Sequence, residues 1–324
     1  MTTTLTASGP EDLLAAVPVV LGFRPEESLV MLTFGARRTF HARVDLPPPG
    51  EVDEAVPELR EMLLRPCLAH GVSRVAFVVY GDDAAVAAEV AAGLVPPFEA
   101  AGVGVIAVLR AHEGWWWRVP AVLGEPAAGP APYDDESHPF AAQAVFAGRV
   151  TRPSREALRH TVAPVVEQRA RMERLVEALP DPGPGDRGRV LALVGQCVRD
   201  RYDPDDEEAA LIVRAATRVE IRDAALQVVT RDTAAEHLRV WSHLLRCAPD
   251  AQVPDVAAVT AFCAWQAGDG ALAWCALDRC FAVADDHALG RCLAECLTRA
   301  VPPSAWEEVV DDGTDGTGPT RESA

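Results

Sequence analysis

The chain has 324 residues, 49% of them hydrophobic, and a formal net charge of −18. This length and composition predict a globular protein with room for two domains, and the negative charge disfavours binding to nucleic acid phosphates. All 30 basic residues are arginine, and the absence of lysine excludes Schiff-base and pyridoxal phosphate chemistry as well as a Walker A phosphate loop.

Neither the N-terminus nor the rest of the sequence predicts a targeting or membrane segment. No basic residues precede the first apolar run, and no apolar run reaches the roughly 18 residues that a membrane helix needs. We therefore expect a cytoplasmic protein that binds no membrane. Its 8 cysteines are then expected to be reduced.

The first elements in chain order predict a helix and a β-hairpin. In "SGPEDLLAAVP" we expect Ser8 to be the N-cap, Glu11 to complete a capping box and Pro10 to lie in the first turn. Two β-prone runs around Gly35 then predict the hairpin.

The second strand of this hairpin alternates between apolar and polar residues. Its apolar face carries Phe40, Ala42, Val44 and Leu46, and its other face carries His41, Arg43 and Asp45. The polar row fits either a ligand groove or a solvated face. We keep Arg43 and Asp45 as candidate ligand-binding residues.

A βαβ unit follows a helix predicted at 57–69. "VSRVAFVVYGDD" predicts a central strand, residues 84–101 a helix and "VGVIAVLR" a second strand parallel to the first. The short turn "AHEG" leads to an antiparallel strand, "WWWRVP". There Trp115 and Trp117 share one face and Trp116 has the other. We expect at least two of the three in the core and Trp115, nearest His112 and Glu113, to be the one that could line a pocket; whether Trp115 is exposed stays open.

Residues 121–139 predict a loop, and every later element predicts a helix: 153–179, 188–201, 205–219, 221–229, 233–247, 253–267, 270–284 and 286–299. We therefore predict an α/β domain over residues 1–150, with a mixed sheet of about five strands. An all-α helical-hairpin domain over 151–310 and a disordered tail over 311–324 complete the chain.

One stretch of the helical part, "AAVTAFCAWQAGDGALAWCALDRCFAVADD", resembles a tetratricopeptide repeat. The likeness covers a single repeat and lacks the usual aromatic residue of the first helix. It implies stacked helical hairpins rather than a peptide-binding groove. We expect this domain to contact another protein.

Several motifs in order, "LLAAVPVVLGFRPEESLVMLTF", "RVDLP", "VVYGDD", the tryptophan run and "RPSREAL", resemble an uncharacterised family of high-G+C bacteria known as DUF4192. The resemblance implies no activity. In relatives the tryptophan strand leads into a loop with cysteines and a Pro-Pro-Glu-Gly stretch. Here that region reads "RVPAVLGEPAAGP" without cysteine, so no metal or disulfide role is carried over to it.

The carboxyl ends of the two parallel strands are where an α/β sheet binds ligands. They carry Asp82, Asp83, His112 and Glu113, the candidate catalytic residues for acid–base work or a divalent cation. Tyr80, Arg110 and Trp115 are further candidate ligand-binding residues. The favoured alternative is that Asp82 or Asp83 caps the helix that begins at Ala84.

Other chemistries find less support. His243 with Cys247, and Cys292 with Cys296, have the spacing of zinc-ligand pairs, but cysteine in an Ala-rich helix is more often a small buried residue. No nucleophile elbow and no Gly-rich dinucleotide turn is present. We predict no metal and no cofactor.

The resulting hypothesis is a non-enzymatic module that binds a small ligand or interacts with another protein. The alternative is a metal-assisted hydrolase or transferase that uses the acidic cluster at the sheet's carboxyl end. Whether the protein is an enzyme stays open at this point.

Overall fold

The computed structural model describes residues 7–36, 39–120, 128–146, 148–183 and 185–307. By its internal contacts the chain divides into two units, Met1–Ala157 and Leu158–Ala324. The first contains a mixed sheet with helices, and the second is helical, which confirms the predicted fold class. The tail predicted for 311–324 lies outside the described residues.

The first unit alternates helices and strands. Its elements are α1 (Pro10–Leu21), β1 (Ser28–Phe34), β2 (His41–Asp45), α2 (Val52–Ala69), β3 (Arg74–Tyr80), α3 (Ala84–Ala100), β4 (Gly104–His112), β5 (Trp115–Arg118), β6 (Ala128–Pro132) and α4 (Pro139–Phe146). The strands form one sheet in the order β2-β1-β3-β4-β5-β6.

Strand directions agree with the sequence analysis. β1 and β2 form the predicted antiparallel hairpin, and β3 and β4 are parallel with α3 as their crossover. β5 returns antiparallel beside β4, so the βαβ unit and the tryptophan strand are confirmed.

The sixth strand, β6, lies at the edge of the sheet beside β5, within a region predicted as a loop. Its sequence, AGPAP, has no β-branched or aromatic residue that would predict a strand. Gly129 makes the pairing feasible: its φ is +121°, and a Cβ there would lie 2.9 Å from the Trp116 carbonyl oxygen. Close approach to β5 therefore requires glycine.

Both faces of the sheet are covered. On the α2/α3 face, strand residues such as Phe77 and Val108 pack against those two helices, with Phe77 and Phe98 edge to face at 5.2 Å. On the α1 face, residues such as Val78 and Leu109 pack against that helix. The near-continuous apolar sequence of β3 follows from this double burial.

A β-bulge shifts the register between β3 and β4. Val75 pairs with Val105, but the next residue, Ala76, pairs with Ala107, so Ile106 is the extra residue. Because side chains alternate along a strand, the bulge moves every later β4 side chain to the opposite face.

In the first unit, two helix starts and one whole helix differ from the predictions. The N-cap of α1 is Gly9, and the Ser8 N–H donates to Asp12 Oδ2 at 2.6 Å, so the predicted capping box is wrong. α2 begins at Val52, ahead of the predicted residue 57, and α4 was not predicted.

The helices of the second unit, together with the linking helix α5, are α5 (Arg155–His160), α6 (Val166–Ala178), α7 (Asp186–Asp200), α8 (Asp206–Ala215), α9 (Val219–Gln227), α10 (Ala234–Cys247), α11 (Val253–Gln266), α12 (Gly270–Phe281) and α13 (Ala288–Thr298). The single helix predicted at 153–179 is wrong. Its pattern contains Pro164, which disfavours helix in the preceding residue and lacks an N–H donor, and the chain forms α5 and α6 instead.

α11 is the centre of the second unit. Of its residues all but Asp255 are buried, and it packs against α9, α10, α12 and α13. α11 and α12 form a hairpin whose turn is closed by Asp269, which accepts from the Leu272 N–H at 2.9 Å. Because α11 is enclosed by its neighbours, it offers no face to a peptide-binding groove.

A half-buried polar network joins three helices at this centre. The Asp255 carboxylate accepts from Arg222 at 2.8 Å and contacts His287 Nε2 at 3.2 Å. Burial opposes ionisation, but the hydrogen bonds from His287 and Arg222 outweigh it and lower the pKa of Asp255.

Among the described residues, no helix combines the length and apolar character needed to cross a membrane.

Candidate functional site

The candidate residues lie along one end of the sheet, where β2, β3 and β4 finish and where β1 and β5 begin; we call this end the sheet edge below. Tyr80 at the end of β3 pairs with Ser28 on one side and Ala111 on the other, and His112 at the end of β4 pairs with Trp115. Asp45, at the end of β2, pairs with Ser28. The strand ends named in the sequence analysis therefore meet at this edge.

The register divides these residues between the two faces of the sheet. Because of the bulge, Tyr80 pairs with Ala111 rather than with Arg110. Tyr80 belongs to the cluster under α1, and Arg110 points to the α2/α3 face. The ligand-binding candidates thus form two groups, with Arg110 and Trp115 on one face and Tyr80, Arg43 and Asp45 on the other.

Arg110 is a fixed cation on the α2/α3 face. It is 8% exposed, and one guanidinium nitrogen donates to the carbonyl oxygens of Asp82 at 2.9 Å and Gly81 at 3.3 Å. Its guanidinium carbon lies 3.7 Å from the ring centre of Trp117. Burial lowers the pKa of Arg110, opposed by the nearby carboxylates of Asp82 and Asp83.

The four candidate catalytic residues have other contacts. Asp83 caps α3, accepting from the Ala85 N–H at 2.7 Å and the Val86 N–H at 3.3 Å. His112 Nε2 lies 4.0 Å from Glu113, and Asp82 is exposed to solvent. In the part of the chain that the structure describes, no three His, Cys, Asp or Glu residues are grouped so that they could hold a metal ion.

The three tryptophans differ in exposure. Trp115 is 46% exposed, whereas Trp116 and Trp117 are half-buried. Trp116 packs against the cluster under α1, and Trp117 lies against Arg110. The predicted division of faces is confirmed, but neither Trp116 nor Trp117 is fully buried in the core. We define the indole shelf as Arg110, His112, Trp115 and Trp117, all on the α2/α3 face.

On the α1 face, the polar row of β2 is paired within the unit. Arg43 donates to Ser28 Oγ at 2.8 Å and forms an ion pair with Asp45 at 2.6 Å. Arg155 approaches the same Asp45 carboxylate at 3.6 Å. His41 Nδ1 faces the Thr33 N–H at 3.4 Å, and burial lowers the pKa of His41 to about 4.

A second cluster on the α1 face surrounds the end of β3. The Tyr80 hydroxyl and the Trp116 indole nitrogen are buried without a hydrogen-bond partner. Arg24, before β1, forms ion pairs with Asp135 at 2.9 Å and with Glu136 at 3.1 Å.

Comparison with protein families settles where the chain belongs. The model for DUF4192, described as a domain of unknown function, matches residues 10–304. The chain is a member of this family. The match runs from the first residue of α1 past the end of α13, so both units belong to the DUF4192 domain. Searches among curated proteins and among solved structures gave no significant match.

The His243–Cys247 pair of this DUF4192 domain has the spacing of zinc ligands, but each residue has another contact. Cys247 is buried and its thiol contacts the Leu244 carbonyl oxygen, while His243 approaches Asp203 at 4.0 Å. Burial raises the pKa of Cys247 to about 11. A thiol in this setting stays protonated and behaves as a small apolar side chain.

Four residues at this end of the sheet were not named as site candidates from the sequence: Arg24, Trp116, Tyr133 and Asp135. Tyr133 and Asp135 fell in a predicted loop. The "YDDE" run after a proline-rich segment was the available signal. A flexible loop has no need of an aromatic residue beside three acidic ones, so the run indicates that this segment makes specific contacts.

Proposed function

We propose that this chain is a non-enzymatic binding module that takes a basic segment of a partner protein on the indole shelf. The observation that carries the proposal is the exposure of Trp115, 46% of whose surface faces solvent at the sheet edge. Tryptophan is the residue type most enriched among the side chains that dominate binding energy at interfaces.

The chemistry around Trp115 favours a cation. Glu113 and Asp82 are exposed carboxylates at this edge, and Arg110 is already bonded to two carbonyl oxygens and stacked on Trp117. The shelf thus offers an indole face and carboxylates, which together suit the guanidinium or ammonium group of a basic side chain.

The charge of the whole chain supports the same choice. With a net charge of −18 and no lysine, the surface field attracts basic partners and repels acidic ones. Binding to nucleic acid and to anionic membrane surfaces is disfavoured for the same reason.

Further parts of the proposal concern the helical unit and the location. We infer that the unit acts as a tetratricopeptide-like scaffold of hairpins that contacts another protein, with the exposed side chains of Val166 and Val219 as part of the contact. We place the protein in the cytoplasm of a bacterium, in keeping with its expected reduced cysteines.

The test is calorimetric titration of the full chain with the peptide Gly-Arg-Gly-Arg-Gly, and with Gly-Glu-Gly-Glu-Gly as its acidic counterpart. We expect binding of the arginine peptide alone, weakened by salt and about tenfold weaker for Trp115→Ala. Phe146→Ala is the matched control, because Phe146 is an aromatic side chain 97% exposed on α4. Equal binding by the Trp115 variant, or binding of the glutamate peptide, contradicts the proposal.

A further inference from the structure

Two buried donors on the α1 face lack an acceptor. The Tyr80 side chain is 8% exposed, and neither its hydroxyl nor the Trp116 indole nitrogen has a hydrogen-bond partner. Buried polar groups are nearly always hydrogen-bonded, because an unpaired one loses its bonds to water without replacement. Two such groups in one cluster indicate that an acceptor is missing.

Register places the two donors on one side of the sheet. Tyr80 pairs with Ala111 across β3 and β4, and Ala111 pairs with Trp116 across β4 and β5. All three side chains belong to the same face, so the tyrosine and the indole flank the small alanine between them. An acceptor group bound above Ala111 would therefore have a donor-bearing side chain on either side.

Asp135, a carboxylate of the chain itself, follows β6, whose Ala131 pairs with Trp116. Asp135 accepts from Arg24 Nε at 2.9 Å, and Glu136 contacts another nitrogen of the same guanidinium at 3.1 Å. Asp134 fixes this turn by accepting from the Glu136 and Ser137 N–H groups at 2.9 and 3.1 Å. The Arg24 side chain remains 33% exposed, so it is accessible to solvent.

Asp135 is also a neighbour of the two tyrosines. Burial raises the pKa of Tyr80 far above its usual range, and Tyr133 and Asp135 add to this effect. Burial and Asp135 likewise raise the pKa of Tyr133 to about 12, with Arg24 opposing. The Tyr80 hydroxyl therefore keeps its proton and can act as a donor.

We propose that Arg24, Tyr80 and Trp116 form a binding site for a small oxyanion, and that Asp135 holds this site closed as an internal substitute for the ligand. In the bound state, a carboxylate or phosphate group displaces the Asp135 carboxylate from Arg24 and accepts from the Tyr80 O–H and the Trp116 N–H. All three groups are donors, and a guanidinium binds carboxylate and phosphate oxygens in the same geometry.

Two features make the oxyanion the fitting ligand class. The group now bound to Arg24 is itself a carboxylate, so the guanidinium is already oriented for one. A neutral carbonyl would satisfy the two buried donors but would not compensate for the loss of Asp135 from Arg24. This site lies on the opposite face of the sheet from the indole shelf, and it stands or falls independently of the proposed function.

The experiment titrates the full chain with sodium phosphate and, separately, with sodium succinate, by calorimetry. Removing the internal competitor with Asp135→Ala should increase the affinity for one of the two anions by about tenfold over the unmodified chain, since a larger fraction of molecules is competent to bind. Phosphate binding and succinate binding distinguish the two sources of the oxyanion. In the Asp135→Ala background, Tyr80→Phe and Arg24→Met should each weaken that binding about tenfold.

Glu89→Ala is the matched control, because it also removes one negative charge from the α/β unit but lies exposed on α3, the helix that packs on the other face of the sheet. Equal binding by the Glu89 and Asp135 variants, or no binding of either anion by the Asp135 variant, overturns the proposal. If Asp135→Ala does not fold, Asp135→Asn is titrated instead, with the same outcomes.

A second measurement tests the unpaired hydroxyl directly. In the otherwise unmodified chain, Tyr80→Phe should leave the urea midpoint of unfolding unchanged or higher, because no hydrogen bond is lost. A clear decrease in that midpoint means that the hydroxyl already has a partner, and it overturns the proposal.

Discussion

The Arg110 guanidinium holds the end of β3 and the Trp117 ring in place through its contacts with both. Replacing Arg110 by methionine tests whether these contacts stabilise the α/β unit. Methionine keeps an unbranched apolar stem but removes the groups that contact the carbonyl oxygens of Gly81 and Asp82 and the Trp117 ring. We expect Arg110→Met to destabilise the α/β unit and to loosen the turn between β3 and α3.

The expected size follows from two contacts. A hydrogen bond to a charged donor contributes about 1.5–3 kcal/mol, and the bond to Asp82 at 2.9 Å has good length while that to Gly81 at 3.3 Å is long. The contact with Trp117 adds about 0.5–2 kcal/mol. Since burial of the charge offsets part of this sum, we expect a loss of about 2–4 kcal/mol. Arg110→Lys should lose about half as much, because an ammonium group cannot stack flat on the indole.

The assay is hydrogen–deuterium exchange with mass spectrometry on peptides that cover β3 and β4, because local protection reports the stability of one unit within a two-unit chain. In Arg110→Met, the amide hydrogens of β3 and β4 should exchange faster than in the unmodified chain, by the factor that corresponds to the expected loss of stability. Arg118→Met, at an exposed arginine of β5, is the control and should exchange like the unmodified chain. Unchanged exchange for Arg110→Met, or equal effects of the two substitutions, would refute the reasoning.

Three further outcomes are expected. Asp83→Ala should lower the free energy of unfolding by about 1 kcal/mol through loss of the α3 cap, and unchanged thermal unfolding contradicts this. Burial lowers the pKa of His237 from 6.5 to about 4, so the unfolded chain takes up its proton first. Stability should therefore fall between pH 6.5 and 4 by up to about 3 kcal/mol, and His237→Leu should flatten a plot of melting temperature against pH. Asp255→Asn should cost about 2 kcal/mol in urea unfolding, because a neutral amide oxygen accepts more weakly from Arg222 and His287 than the carboxylate does, while Arg222 keeps its ion pair with Asp223, and a loss below about 1 kcal/mol speaks against the network.

Alternation explains why much of the sheet could be predicted from the sequence. In β2 the residues Ala42 and Val44 pack on the α2/α3 face as their spacing predicts. In β5 the same rule placed Trp115 and Trp117 together and Trp116 opposite. A period of two follows from strand geometry alone, so it holds without any knowledge of neighbouring strands.

The register between β3 and β4 could not be predicted from the sequence. If Val75–Val105 pairing continued without a bulge, Tyr80 would lie opposite Arg110. The extra residue Ile106 instead brings Ala111 beside Tyr80 and separates the two candidates. A bulge of this kind has no composition signal in "GVGVIAVLR", because packing in three dimensions determines where the ladder accommodates the extra residue.

The donors around Tyr80 were missed for a related reason. Arg24 and Asp135 are separated by 111 residues in the chain, and only the folded sheet brings them into contact. Long-range ion pairs between loops leave no periodic pattern. By contrast, the cap at Asp83 was predictable, because a helix N-terminus and its capping residue are neighbours in sequence.

The central claim, that Trp115 is the contact for a basic partner, is tested most directly by NMR of the indole N–H groups. The chain has 7 tryptophans, and ¹⁵N-labelled tryptophan gives one signal for each, assigned by single substitutions. On addition of the arginine peptide we predict a change in the Trp115 signal, with the Trp274 and Trp241 signals of the helical unit unchanged. An unshifted Trp115 signal at a peptide concentration that saturates the calorimetric titration contradicts the account.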